Sequence, residues 1–114
     1  MYSASNDQLT NNTATKNGNT GVTVLESSQE TLTSNVANNN DGYGFTFTGA
    51  SSNTVTGNNA IHNGGFGFYT WSFSQYNLFT QNRACQSFYV DAFDDDTGAG
   101  NNYVNNSFCT TEGI

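Results

Sequence analysis

Asp91, Asp94, Asp95 and Asp96 fall within six residues and are followed by Thr97-Gly98. Carboxylates this dense suit two kinds of chemistry. Ca²⁺ takes about six to eight oxygen ligands from carboxylates and carbonyls. Inverting glycoside hydrolysis needs two carboxylates about 6.5–9.5 Å apart with a water between them. The plainer alternative is a solvated loop that replaces a strand and guards one end of the fold. We read the group first as that loop, with Ca²⁺ the one cofactor it points to, and assign no catalytic residue.

The cations are as informative. Lys16 and Arg83 are the two basic residues and His62 is the single histidine. Removing a proton next to a carboxylate needs a base, and a cation to hold the resulting enolate. Lys16 and His62 do not converge with Arg83 in the register set out below, so His62 reads as an exposed turn residue beside Asn63-Gly64-Gly65. The formal net charge is −7. That balance argues against nucleic acid and anionic membranes as partners, because both are bound through Lys and Arg. No apolar run approaches the ~18 residues of a membrane span. The opening MYSASNDQLT has neither a basic nor an apolar stretch and does not read as a signal peptide.

Two further sets of side chains carry chemistry. Cys85 and Cys109 lie 24 residues apart. Tyr69, Trp71, Phe73, Tyr76 and Phe93 gather in one stretch of the chain and are candidates to stack on sugar rings. Aromatic residues make up 14% of a sequence that is only 34% hydrophobic and 10% charged, with no proline. Disordered chains are usually charged, proline-rich and poor in aromatics, so these rings imply a folded body.

What must position them is a repeat. The pattern apolar-x-x-Asn occurs in LTNN, LTSN, VTGN, FTQN and YVNN, closing at Asn12, Asn35, Asn58, Asn82 and Asn106. The spacings are 23, 23, 24 and 24. Two residues after the closing Asn come Ala14, Ala37, Ala60, Ala84 and then Phe108, and five after it come Asn17, Asn40 and Asn63. Nine after it come Gly21, Gly44 and Gly67; ten after it come Val22, Phe45, Phe68 and Ala92. Within a unit, GVTVL and GFTFT alternate apolar with polar as strands do, and Asn and Gly clusters supply turns. One unit cannot bury its own apolar face, so the units must stack, with equivalent positions about 4.8 Å apart.

The expected fold is therefore all-β: a single-stranded parallel β-helix of about four and three-quarter coils in one domain over 1–114. Its coils span roughly 6–28, 29–51, 52–74, 75–99 and 100–114. Stacked Asn side chains donate to one neighbour and accept from the other, forming ladders. The same Asn residues are expected to take the left-handed backbone of the corners. Phe45 is expected over Phe68 in the interior. Cys85 and Cys109 share a column in adjacent coils, which suits a disulfide in an oxidising compartment; stacked free thiols are the alternative. Thr10, Thr33, Thr56 and Thr80 form a column too, and flat threonine arrays suit ice binding, although Thr is also an ordinary exposed strand residue.

The unit NTVTGNNAIHNGGFGF (53–68) resembles the right-handed parallel β-helix repeats of NosD-like proteins. Those belong to a larger group of carbohydrate-binding proteins and sugar hydrolases that includes pectate lyases and mannuronan epimerases. The tail DAFDDDTGAGNNYVNNSFCTTEGI (91–114) resembles the end of secreted proteins with such repeats, with Tyr103 where Trp is usual and Gly-Ile in place of Cys-Ile. The resemblance implies a right-handed coil and a secreted or surface location. Segments typical of the epimerases and polygalacturonases are absent. The function expected is a non-catalytic structural or adhesive module that contacts polysaccharide or another copy of itself, stacked end to end into filaments in one version. The alternatives are a polysaccharide lyase, epimerase or hydrolase, or a fragment of one, and then an ice-binding protein.

Overall fold

The computed structural model describes residues 1–114. Thirteen short strands and no helix make up the chain. The first coil carries β1 (Gln8–Thr10) and β2 (Val22–Leu25), and the second carries β3 (Thr31–Thr33) and β4 (Phe45–Thr48). The third holds β5 (Thr54–Thr56), β6 (Asn59–Ile61) and β7 (Phe68–Trp71). The fourth holds β8 (Leu78–Thr80), β9 (Arg83–Cys85) and β10 (Ala92–Asp94), and the last β11 (Asn102–Val104), β12 (Ser107–Phe108) and β13 (Thr111–Glu112). Each strand pairs in parallel with its equivalent one coil away. Three sheets result, in the orders β1-β3-β5-β8-β11, β2-β4-β7-β10-β13 and β6-β9-β12. The molecule is a parallel β-solenoid of about five turns, and its strand register is the sequence repeat: Leu32 pairs with Val55 and Val55 with Phe79.

Alternation along each strand decides what goes inside. Phe45, Phe47, Phe68, Phe79, Val24, Leu32 and Val55 are buried, and each such side chain contributes roughly 1.5–3 kcal/mol. Phe45 and Phe68 stack with centroids 4.9 Å apart and planes 6° from parallel, as the repeat predicts. Phe79 and Tyr103 repeat this at 4.6 Å. The Ala column (Ala37, Ala60, Ala84) is buried on the narrow third side. The Gly column is set by close approach. A Cβ on Gly44 would lie 2.8 Å from both Ala60 Cβ and Asn63 Nδ2, so the second coil can settle on the third only if the side chain is missing.

The Asn ladders run through the interior corners. Asn35 donates its backbone N–H and its Nδ2 to Asn58 Oδ1 (2.9 and 3.0 Å). Asn58 does the same to Asn82 Oδ1, and Asn82 to Asn106 Oδ1. The ladder is directional, every link donating toward the C-terminal coil. Asn17, Asn40 and Asn63 form a second ladder with the same geometry.

One expectation is corrected. The ladder Asn residues do not take the left-handed backbone; the residues just before them do. Asn11, Ser34, Gly57, Gln81 and Asn105 have positive φ ahead of Asn12, Asn35, Asn58, Asn82 and Asn106. Lys16, Asn39 and His62 do so ahead of Asn17, Asn40 and Asn63. The division of labour is physical. The left-handed residue reverses the chain with its own side chain outside. That leaves the next side chain aimed into the coil, where backbone groups of neighbouring coils need partners.

A third ladder lies beyond the two that the repeat predicts. Asn53 donates its N–H and Nδ2 to Asn77 Oδ1 (3.0 and 2.9 Å), and Asn77 likewise to Asn101 Oδ1. It continues toward the N-terminus through Glu30 and Asp7, where the Asp7 N–H donates to Glu30 Oε2.

Candidate functional site

The sheet of β2, β4, β7, β10 and β13 turns an aromatic face outward. Phe68 and Thr70 are buried, so Tyr69 and Trp71 between and after them must face solvent. Register then builds columns. Thr23, Thr46, Tyr69 and Phe93 stand in line, with Glu112 next. Leu25, Thr48 and Trp71 form the adjacent line, which Asp95 extends because Asp94 pairs with Thr70. Tyr43 and Phe66, on the bends leading into β4 and β7, complete the patch.

The rings touch in sequence across the coil. Trp71 stacks on Tyr69 at 5.5 Å and 12°, and Tyr69 on Phe66 at 4.6 Å and 20°. Phe93 lies 5.4 Å from Tyr69 and 5.2 Å from Phe66, while Tyr43 lies 5.3 Å and 5.7 Å from the same two rings. Beyond Phe66, Tyr89 follows at 5.5 Å and Phe88 meets Tyr89 edge-on at 5.1 Å. All these spacings lie in the range of attractive ring contacts. The indole is fixed by Nε1–H donating to Thr48 Oγ1 (2.6 Å) yet stays 41% exposed. At the Phe88 end the track opens on a shallow groove lined by Asn39, Asp41, His62 and Gln86.

Charge lies at the borders of the patch. Asp95 Oδ2 accepts the Ser72 N–H (2.9 Å), and Oδ1 accepts the N–H and hydroxyl of Thr97 (3.0 and 2.7 Å). Partial burial pulls its pKa upward, but the Thr97 and Ser72 hydrogen bonds outweigh that and hold the carboxyl below the usual range. Burial, the neighbouring Tyr43 and the Asp95 charge together push the Tyr69 hydroxyl above the ordinary tyrosine value.

Of the five aromatic candidates, Tyr69, Trp71 and Phe93 come together here. Phe73 and Tyr76 do not join them. Both have positive φ, Phe73 on the corner after β7 and Tyr76 on the corner ahead of Asn77, and both are exposed, 72% and 61%. Tyr43 and Phe66 belong to the patch but sit on bends next to glycines, where alternation gives no cue. Their shared place just ahead of the Gly column (Tyr43-Gly44, Phe66-Gly67) was the available signal.

The four aspartates are distributed. Asp91 is buried, with Oδ2 accepting the Thr110 hydroxyl (2.8 Å) and Oδ1 the Ser87 N–H (2.8 Å). Asp94 faces the interior, where Oδ2 lies 3.0 Å from both Asn101 Nδ2 and the Tyr103 hydroxyl. Asp95 faces outward and Asp96 takes a left-handed corner. Burial, with Asp94 adding to it, raises the Tyr103 hydroxyl far above the tyrosine range despite a hydrogen bond with Thr70, so it stays protonated toward Asp94. Asp94, Asp96, Asn101 and Tyr103 line a cleft of about 260 Å³. No three His, Cys, Asp or Glu side chains converge on one point. Lys16 and His62 occupy equivalent left-handed corners two coils apart, and Arg83 faces solvent from β9. Cys85 and Cys109 are joined in a disulfide with Cα atoms 5.1 Å apart, which ties the last coil to the fourth.

A family model described as "Periplasmic copper-binding protein (NosD)" matches residues 1–112. No curated protein and no solved structure matches the chain.

Proposed function

The chain belongs to the NosD family, and on that premise we propose that it is an extracytoplasmic, non-catalytic β-solenoid module that binds polysaccharide along its aromatic face. The family description supports a periplasmic location, and the Cys85–Cys109 disulfide suits an oxidising compartment.

The description also names copper, and the donor set does not fit it. Copper is held by thiolate, thioether or imidazole groups. Here both cysteines are consumed in the disulfide, and His62 and Met1 are the only other soft or imidazole donors. Met1 lies ahead of the first coil, its carbonyl accepting the Leu25 N–H, and His62 sits on a corner of the third. No step is therefore assigned to copper in this chain.

The observation that carries the reading is the continuous ring surface of exposed Trp71 and half-buried Tyr69 and Phe93 on a rigid sheet, with half-buried Phe66 on the bend beside them. Contiguous exposed apolar patches mark binding sites, and flat rings held by a ladder of backbone bonds meet sugar faces without paying for loop ordering. The test uses the single tryptophan as reporter. Titrating a panel of soluble glycans is expected to shift Trp71 fluorescence saturably with at least one of them. Tyr69→Ala should weaken that binding by about tenfold or more, with the far-ultraviolet circular dichroism unchanged. Silence across the panel, or binding indifferent to Tyr69→Ala, overturns the proposal.

A further inference from the structure

Resting on that reading, we propose that the polysaccharide bound by the aromatic face carries protonated amino groups, and that Asp95 and Glu112 receive them. Three observations lead there. The rings supply stacking but no charge of their own, so the ionic character of the ligand is decided by what borders them. The ionisable groups that extend the Trp71 and Tyr69–Phe93 columns onto the next coils are both acidic. Asp95 stands in the column of Trp71, one coil on, and Glu112 is the register partner of Phe93.

The second observation is the state of Asp95. Its two oxygens accept three hydrogen bonds from Ser72 and Thr97, so the carboxylate is fixed in place and stays ionised. It lies close enough to Tyr69 for its charge to be felt at that hydroxyl. An ammonium group on a sugar stacked over Tyr69 or Trp71 would meet this carboxylate as well as the ring faces, and cation–π attraction would add to the ion pair.

The third is where the cations are. Arg83 lies on the narrow third sheet and Lys16 on a corner of the first coil, and neither belongs to the ring columns. A uronate chain laid on the rings would place its carboxylates beside Asp95 and Glu112 with no counter-charge in the patch. With a net charge of −7, the long-range field also favours a cationic ligand.

The experiment compares three linear oligosaccharides of equal length on the full chain: a glucosamine oligomer, its N-acetylated counterpart and a galacturonate oligomer. Binding is followed by Trp71 fluorescence at a pH where the free amines are protonated. The glucosamine oligomer is expected to bind at least about tenfold more tightly than the acetylated one. That advantage should shrink severalfold in Asp95→Asn and in Glu112→Gln, and at ~1 M salt, where screening acts within about 3 Å. Asp7→Asn, which removes the same charge from a different corner, should leave it intact; an equal loss there would mean bulk attraction to an acidic protein and would overturn the assignment of Asp95 and Glu112. Equal or tighter binding of the acetylated or galacturonate oligomer overturns the amine inference and leaves the glycan-binding reading standing. Failure of all three to bind, in a protein that also ignores the wider panel, removes both. Should Asp95→Asn unfold, Glu112→Gln on the exposed edge and the wild-type sugar comparison still decide the matter.

Discussion

Glu30 is the buried side chain in the third ladder that breaks its chemistry. It is fully buried, its Oε2 accepts the Asp7 N–H, and its Oε1 has no partner. At the equivalent place one coil on, the amide nitrogen of Asn53 donates to Asn77 Oδ1 and Ser27 O. An oxygen therefore stands where the ladder calls for a donor. Glu30→Gln keeps the shape and supplies the N–H, and since an unmade buried hydrogen bond costs about 1–3 kcal/mol, the variant should be more stable by about 1 kcal/mol. A urea midpoint that rises with an unchanged slope supports this, and a midpoint that falls contradicts it. The same residue explains why this ladder was not readable from sequence. The column runs Asp7, Glu30, Asn53, Asn77, Asn101, and its first two members change type. A constant-letter pattern was needed to see a column, and the Asn12-to-Asn106 set had one. The corner residues with positive φ were hidden for a related reason. Asn, Ser, Gly, Gln, Lys and His all serve there, because their side chains meet only solvent.

Between neighbouring strands, the ladders and the core stacks do different work, and a matched pair of substitutions separates them. Asn58 Oδ1 accepts from both the N–H and the Nδ2 of Asn35, while its Nδ2 donates to Leu32 O (2.9 Å) and Asn82 Oδ1 (3.1 Å). Asn58→Ala strands several buried groups at once and should cost several kcal/mol, at about 1–3 kcal/mol for each. Asn12→Ala is the control. Asn12 is exposed on the first coil and no donor reaches its Oδ1, so its loss should cost no more than about 0.5 kcal/mol. Chemical denaturation of the two variants checks the contrast; equal losses would mean that the ladder acts through the local turn rather than through inter-coil bonding. Strand pairing itself was readable almost residue for residue, since Leu32, Val55 and Phe79 stack as their spacing requires. The ring patch was readable only where it sits on a strand. Tyr69, Trp71 and Phe93 follow alternation, whereas Phe73 and Tyr76 come after a left-handed corner at Ser72 that ends alternation and sends them elsewhere. The repeat put Cys85 and Cys109 in one column, because they keep the same distance from their closing Asn, and left open the choice between free thiols and the disulfide that the structure holds.

A stack of coils is nearly one-dimensional: each coil contacts only its neighbours, so stability is a sum of coil and interface contributions rather than one global core. The buried apolar set runs from Val24 to Ala92, and the last coil contributes only the partly buried Tyr103 and Phe108 to its edge. That coil is held by β11–β8, β12–β9 and β10–β13 pairing and by the Cys85–Cys109 link. Closing a loop of this size stabilises a fold by about 3 kcal/mol in the chain-entropy view, a large share of what one thinly packed coil has. Reduction should therefore act locally. Amide exchange is expected to accelerate over residues 102–112, where Cys109 N–H donates to Ala84 O, and at Ala92, whose N–H donates to Thr110 O. Protection at Val55, Phe47 and Asn58, with coils on both sides, should stay as it was. Uniform loss of protection on reduction would show a single cooperative unit instead of a stack. No change at all would show that strand pairing holds the last coil without the disulfide. Because Glu112 sits on that coil beside Phe93 while Asp95 is anchored on the fourth, the reduced protein should keep the Asp95 share of any preference for amino sugars and lose the Glu112 share.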